Sequence, residues 1–440
     1  MLRKRIKNRT AASHGDSALD AVEAAVRLRH AGATGSFKSL QLSSVFQPIY
    51  SVTHRRAVGY EALLRAHTAQ GAPVSPLDVF ASADSEAEVT HLDRLCRSLH
   101  LHNHAAIPAG STWLFLNINP EVVVHGKRYG AFFAQLLQRH ACPAHRIVVE
   151  ILEDAIRNEA LLAEAVDYYR DLGCLVAIDD FGSGHSNFAR LWRLAPDIVK
   201  LDRSLILQST VNRQTRRILP GLVSLIHEAG SLVVMEGVET EDEALIALDA
   251  DVDLVQGYYF GRPAAPGETN PDSPCLLSNL CDRLKDTAVT QVEAQQAGTA
   301  MYVDIFRRCA GALQAGMPIE PACAALVAEP GVERCYLLDA EGAQIGANLV
   351  AASRAARADA RFAPLESAVG ARWFRRPYFR RALGQPGQVM LSRPYLSLTG
   401  VRMCVTLSVA IEAGGERHVL CCDLSWEAVD PPAGSRRGKP

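Results

Sequence analysis

Residues 159–184 read EALLAEAVDYYRDLGCLVAIDDFGSG, and this stretch decides the fold class. Glu159–Leu172 carries apolar residues at helical spacing, and Gly173 stands where such a helix would stop. Leu175–Ile178 is a strand-sized apolar run, and Asp179 and Asp180 follow it at once. The same unit recurs on both sides. Strand-like runs fall at Trp113–Ile118, Ile147–Leu152, Ile198–Leu201, Leu232–Met235 and Leu254–Gln256, with helix-period segments such as Asn212–Ala229 between them and Gly230 as another stop. Repeated βα units from Ser39 to about Pro266 predict an α/β fold with a parallel sheet, closed at this length into a barrel. An open doubly wound sheet is the alternative, weakened because no G-x-G-x-x-G follows the first strand.

Outside that region the chain changes character. Its 440 residues, 48% hydrophobic and 21% charged, are enough for two or three domains. Residues 1–36 read as a poorly ordered N-terminal segment, apart from an Ala-rich amphipathic stretch at Ala18–His30, and 37–266 as the barrel. Proline-rich Arg262–Pro274 marks a boundary, and 267–316 form a linker containing a long helix over Leu276–Ala315. Residues 317–430 form a smaller α+β domain with strands expected at Cys335–Leu338, Val389–Ser392, Met403–Ile411 and His418–Leu424; 431–440 are a tail.

The balance of 46 Lys and Arg against 48 Asp and Glu excludes a general nucleic-acid-polymer binder, which needs a basic surplus. No apolar run approaches the roughly 18–20 residues of a membrane-spanning helix. The opening MLRKRIKNRT is basic but no apolar segment follows, so a cytoplasmic location is expected. The 11 cysteines, none in a C-x-x-C pair, read as reduced thiols in the core.

The polar residues of the barrel region cluster at the expected strand ends. Glu61 follows Ala57–Tyr60, and Asn117, Glu150, Glu153, Asp179, Asp180, Lys200, Glu236, Glu239 and Gln256 close or follow the later strands. In a βα barrel those ends open onto one face. Carboxylates converging there repel one another unless a cation neutralises them, and oxygen donors suit Mg²⁺ or Mn²⁺ better than zinc. Taken singly, each has a bland reading as a helix cap or loop charge.

Read as blocks, these residues carry a resemblance. Gln47-Pro48-Ile49 precedes Glu61-Ala62-Leu63-Leu64-Arg65. Downstream stand Asn117-Ile118-Asn119-Pro120, Glu150-x-x-Glu153, Asp179-Asp180-Phe181-Gly182, Lys200-Leu201-Asp202, Glu236-Gly237-Val238-Glu239 and Gln256-Gly257-Tyr258-Tyr259-Phe260. In this order and spacing they resemble the EAL-domain family of cyclic di-GMP phosphodiesterases, over about residues 39–266.

The resemblance implies a modified (β/α)8 TIM-like barrel that hydrolyses cyclic di-GMP to linear pGpG with two metal ions, Mg²⁺ or Mn²⁺, and acts as a homodimer. It implies metal ligation by Glu61, Asn117, Glu150, Asp179, Asp180, Glu236 and Gln256. Gln47, Arg65, Asn117 and Asp202 would contact substrate, with Glu153 and Glu239 as supporting groups for the loop and the metals. Glu61, Lys200 and Glu236 would be the catalytic set, either Lys200 or Glu236 serving as base. The loop departs from the family pattern at His185 and Asn187, which keeps a non-catalytic cyclic di-GMP receptor open as the alternative. The C-terminal region, with Trp373–Leu383 and Ser392–Ser397, resembles PAS/Cache-like sensor domains. That likeness implies regulation through a small ligand held by Arg375, Arg376, Arg380 or Arg381 and by Tyr378 and Tyr395.

Overall fold

The computed structural model describes residues 18–29, 32–107, 112–119, 122, 132–152, 159–184, 188–266, 268, 273–351, 368–397 and 403–429. Glu153, His185, Asn187 and the 431–440 tail lie outside the described residues. The chain divides into two compact units, 1–285 and 286–440.

The first unit is one eleven-stranded sheet: β1 (Val26–Arg29), β2 (Gly32–Phe37), β3 (Leu40–Ser51), β4 (Arg56–His67), β5 (Pro73–Val74), β6 (Trp113–Asn117), β7 (Ile147–Leu152), β8 (Leu175–Phe181), β9 (Ile198–Leu201), β10 (Leu232–Met235) and β11 (Leu254–Val255). Its order is β1-β2-β3-β11-β10-β9-β8-β7-β6-β4-β5, and an extra β3–β4 pairing closes eight strands into a barrel. The ladders from β4 through β6 to β11 are parallel. β3 runs antiparallel to both its neighbours, β4 and β11. The expected barrel is therefore present, modified by one reversed strand.

Residues 18–29 and 32–36, expected to be poorly ordered, are instead built into this unit. Residues 18–24 form a helix burying Leu19 and Val22, and β1 and β2 extend the sheet antiparallel from β3. Within the Ala-rich amphipathic stretch Ala18–His30, residues 18–24 are thus helix and Val26–Arg29 strand. Gly173 and Gly230 end their helices as expected, each at φ 91°, a conformation that costs glycine little.

Period-two alternation sorts the barrel side chains into two layers. Leu114, Leu116, Val149, Val176, Ile178, Val199, Leu201, Val233 and Met235 belong to the large core packed with the helices. Ile49, Phe115, Val148, Ala177, Ile198, Val234 and Leu254 form a separate cluster, one residue from each of seven barrel strands. On the eighth strand Gly59 leaves that room to Phe115, because a Cβ there would come within 2.7 Å of the ring. Two residues along from each cluster member, on the same face, comes a polar side chain. These are Gln47, Asn117, Glu150, Asp179, Lys200, Glu236 and Gln256, with Glu61 two beyond Gly59.

The second unit contains β12 (Val332–Leu338), β13 (Gln344–Leu349), β14 (Met390–Leu391), β15 (Tyr395–Leu396), β16 (Met403–Ala413) and β17 (Glu416–Ser425), all paired antiparallel. One face carries Val405, Leu407, Leu420 and Cys422 against Phe306 and Cys309 of the long helix Ser273–Gln314. The other carries Tyr336, Val419 and Cys421 against Tyr378 and Phe379 of the helix Pro377–Gly384. Adjacent Cys421 and Cys422 therefore lie in different cores. All eleven cysteines are free, and most are buried. No helix among the described residues is long and apolar enough to cross a membrane.

Candidate active site

Glu61 lies mid-strand in β4 rather than at a strand end. The reason is that β4 runs on to His67 against β3, while its parallel ladder with β6 covers only Gly59–Ala62. Glu61 thus still marks the end of the parallel barrel and meets the strand-end residues there. Asp179 and Asp180 sit where the β8–β9 ladder slips register between Ile178 and Phe181. Asp180 takes φ 58°, a left-handed conformation that Asp tolerates better than most residues, and such bulges re-aim side chains beside sites.

Lys200, 1% exposed, is the hub. Its ammonium lies 2.5 Å from Glu150 Oε1, 2.6 Å from Glu236 Oε1, 3.3 Å from Asp179 Oδ1 and 3.4 Å from Glu61 Oε2. Asn117 Nδ2 donates to Glu61 Oε1 at 2.9 Å, and Gln256 Nε2 donates to Glu61 Oε2 at 2.6 Å and to Gln47 Oε1 at 3.2 Å. The resemblance-derived residues Gln47, Glu61, Asn117, Glu150, Asp179, Lys200, Glu236 and Gln256 are thus one contact network.

Its electrostatics are unbalanced. Burial works against the Lys200 ammonium, but Asp179, Glu150, Glu236 and Glu61 outweigh it and hold the amine protonated far above its ordinary range. Without a bound cation, Lys200 is thus the positive charge that these carboxylates share. Burial, reinforced by Glu61, pushes the Glu150 carboxyl well up. Burial also raises Glu236 to about 8 and, with Asp179 and Asp202, Asp180 to about 6. Glu61 goes the other way: burial raises it, but Lys200 and the Gln256 and Asn117 amides overcome that and keep it low.

A cavity of about 360 Å³ opens over this network, bordered by Gln47, Glu61, Asp179, Lys200, Asp202, Glu236, Glu239 and Gln256. Its size is within the usual range of small-ligand sites. Arg65 does not border it, and its Nη1 donates to the Leu64 carbonyl at 2.9 Å. Asp202 has a structural task, accepting from Ser204 N at 3.0 Å to cap the helix Arg203–Val211. Asp202→Ala should therefore cost about 1 kcal/mol of stability, read by urea denaturation, whereas Asp202→Asn keeps the cap. Turnover lost in Asp202→Asn with stability intact would report substrate contact.

Sequence reasoning missed Arg203 and Tyr258, which also border the cavity. Arg203 pairs with Glu239 at 2.6 Å, and Tyr258 lies under the Arg262 guanidinium at 4.3 Å. Gly257 holds Gln256 in place by close backbone approach, since a Cβ there would fall 2.0 Å from Val238 O. Backbone cannot rotate away, so Gly257→Ala is expected to destabilise by about 1–3 kcal/mol in urea denaturation.

The chain matches the EAL domain family over residues 25–263, more than half its length. It belongs to the EAL-domain family. The EAL chain is 32% identical over 254 residues to an uncharacterized protein of Azorhizobium caulinodans, spanning 54% of this chain and 33% of that one. It is 30% identical over 233 residues to the cyclic di-GMP phosphodiesterase NbdA of Pseudomonas aeruginosa, spanning 51% of this chain and 29% of that one. The match therefore covers about a third of these curated relatives' length. The Bacillus subtilis YkuI protein, solved with substrate c-di-GMP and calcium, superposes with TM-score 0.74 over 88% of this chain and 96% of its own. At 20% identity that likeness speaks to the fold, and its extent reaches beyond the family region into the second unit.

The EAL site fits a divalent cation on its own geometry. Asp179, Asp180 and Glu236 offer oxygens within 4.8 Å of one another. Glu150 Oε2 and Gln256 Oε1 are buried with no hydrogen-bond donor among the described residues. Four carboxylates face one ammonium, and an all-oxygen donor set suits a hard ion.

In the second unit, Arg376 borders a cavity with Tyr378, Tyr395, Arg334 and Asp423, while Arg375, Arg380 and Arg381 are exposed and do not line it. That cavity measures about 20 Å³, room for about one water.

Proposed function

We propose that the protein is a metal-dependent phosphodiesterase that hydrolyses cyclic di-GMP to linear pGpG, with Mg²⁺ or Mn²⁺ at a two-ion site. The observation that carries this reading is the buried carboxylate ring around Lys200, with orphaned acceptor oxygens on Glu150 and Gln256. Family membership and the names of the relatives support the substrate.

Glu61, Asn117, Glu150, Asp179, Asp180, Glu236 and Gln256 would hold the ions. Bound there, divalent ions would supply acidification of a water and neutralisation of charge on the attacking and leaving oxygens of an in-line displacement. The chain's own residues do the rest. Asn117 and Gln256 orient Glu61 through their amides. Lys200 and Glu236, 2.6 Å apart, form a pair able to hold and pass the proton of the attacking water. Bound cations would disfavour the Lys200 ammonium by like charge, so either Lys200 or Glu236 could serve as the acceptor. Arg203 and Gln47, on the cavity wall, are placed to meet an anionic substrate. Water adds across one P–O bond, and the ring opens to a linear dinucleotide.

Regulation by the second unit, a small ligand there, assembly as a homodimer and a cytoplasmic location belong to the same reading. An Arg376→Ala change that alters turnover without altering the barrel's stability would support the regulatory part.

The experiment is chromatographic. Cyclic di-GMP incubated with the protein and Mg²⁺ or Mn²⁺ should yield pGpG as first product. Tight binding without product would replace the enzyme with a receptor.

A further inference from the structure

A second group of metal-ligating side chains lies on the helices of the first unit, and none of its members borders the cavity. Glu23 is on the helix of residues 18–24, His102 in the last turn of the helix Glu86–His104, and His140 just after the helix Phe132–Arg139. Buried apolar neighbours bring the three elements together: Leu19 and Val22, Leu99 and Leu101, Leu136 and Leu137.

The donors converge. Glu23 Oε2 lies 3.0 Å from His102 Nε2, and Glu23 Oε1 lies 3.4 Å from His140 Nε2. The two rings meet edge to face with centroids 4.3 Å apart. All three donor atoms fall within 4.8 Å of one another. Ser98 Oγ donates to Glu23 Oε1 at 2.6 Å, the kind of outer contact that fixes a ligating carboxylate. Side-chain exposures of 15%, 21% and 10% leave the group shielded yet reachable.

Two donors about 2.0–2.1 Å from a tetrahedral zinc sit roughly 3.3 Å apart, close to the separations seen here. A hydrogen-bonded trio would need Glu23 between the rings, but not all three donor atoms within 4.8 Å of one another. Two imidazoles with one carboxylate favour zinc-class ions over the harder ions of the barrel cavity. We propose that Glu23, His102 and His140 form a second divalent-metal site for a zinc-class ion, which clamps the N-terminal helix to two barrel helices. The proposal is independent of the reading of the barrel cavity.

The test uses the full chain, Zn²⁺ titrated against a chromophoric chelator, and Co²⁺ as a spectroscopic probe. Wild type should bind one more zinc ion than His102→Gln or His140→Gln, and show a tetrahedral Co²⁺ band that both variants lose. Affinity at this site should fall by more than about 100-fold, the loss that even an outer-sphere partner can cause. Binding by the eleven free thiols is common to all three proteins and cancels in the comparison. Metal-dependent turnover at the barrel should stay unchanged. His140→Asp separates ligation from folding. As a ligand it should bind zinc and gain thermal stability from it, whereas beside Glu23 in a mere hydrogen-bonded trio it would be destabilised and insensitive to zinc. Equal zinc stoichiometry and affinity in wild type and both glutamine variants would overturn the proposal.

Discussion

Glu61→Ala is expected to lower the rate of cyclic di-GMP hydrolysis by about 1000-fold, several kcal/mol of transition-state stabilisation. The size follows from how many contacts meet on that carboxylate. It accepts from Asn117 and Gln256, touches Lys200, and is held below its ordinary range, unlike Glu150 and Glu236. A group that stays ionised while Glu150 and Glu236 are pushed up is the surest anion with which to bind a cation. Glu61→Gln should lose nearly as much while keeping the hydrogen-bonding shape, which separates charge from packing. The check is steady-state turnover of both variants alongside their urea denaturation. Wild-type rates in Glu61→Ala would remove the site assignment altogether.

Lys200→Met has the second large effect, and it divides between stability and rate. Without metal, Lys200 is the cation in contact with Glu61, Glu150, Asp179 and Glu236. Removing one partner of a buried ion pair costs about 3–5 kcal/mol, less whatever proton uptake by Glu150 and Glu236 recovers. Denaturation in EDTA should therefore show a large loss, and Mn²⁺ should narrow the gap by supplying the missing positive charge. Turnover should stay depressed by roughly 10²–10⁴-fold even when stability is restored, because a positioned proton donor or acceptor is gone. An equal stability cost with and without Mn²⁺ would show that the carboxylate ring and the cation are not coupled.

Much of this was legible in the chain because the barrel writes its interior with period two. Phe115 and Asn117, Val148 and Glu150, Ala177 and Asp179, Ile198 and Lys200, and Val234 and Glu236 are the same step repeated on five strands. Strand ends therefore predict convergence. Three things were hidden. Glu61 lies inside a strand because β3 runs the other way and prolongs the pairing of β4. The protonation of Lys200 depends on four carboxylates gathered from four other strands, and no local spacing encodes their sum. The helix and strands of residues 18–37 carried little signal: β1 is mostly exposed, and β2, GATGSF, is poor in strand-forming residues. Glu23, His102 and His140 are similarly far apart in the chain, and only the packing of three helices unites them. Arg203 had a faint cue, as the first residue of a helix capped by Asp202, opposite Gly237. A Cβ on that glycine would reach 2.5 Å from the Arg203 side chain.

The most direct measurement is hydrolysis of cyclic di-GMP by metal-stripped protein as Mg²⁺ or Mn²⁺ is added back. The carboxylate ring predicts no turnover in EDTA, a saturable return of pGpG formation with either ion, and no such return in Glu61→Ala. An undiminished rate in excess EDTA would contradict a cation-centred site at the end of the barrel.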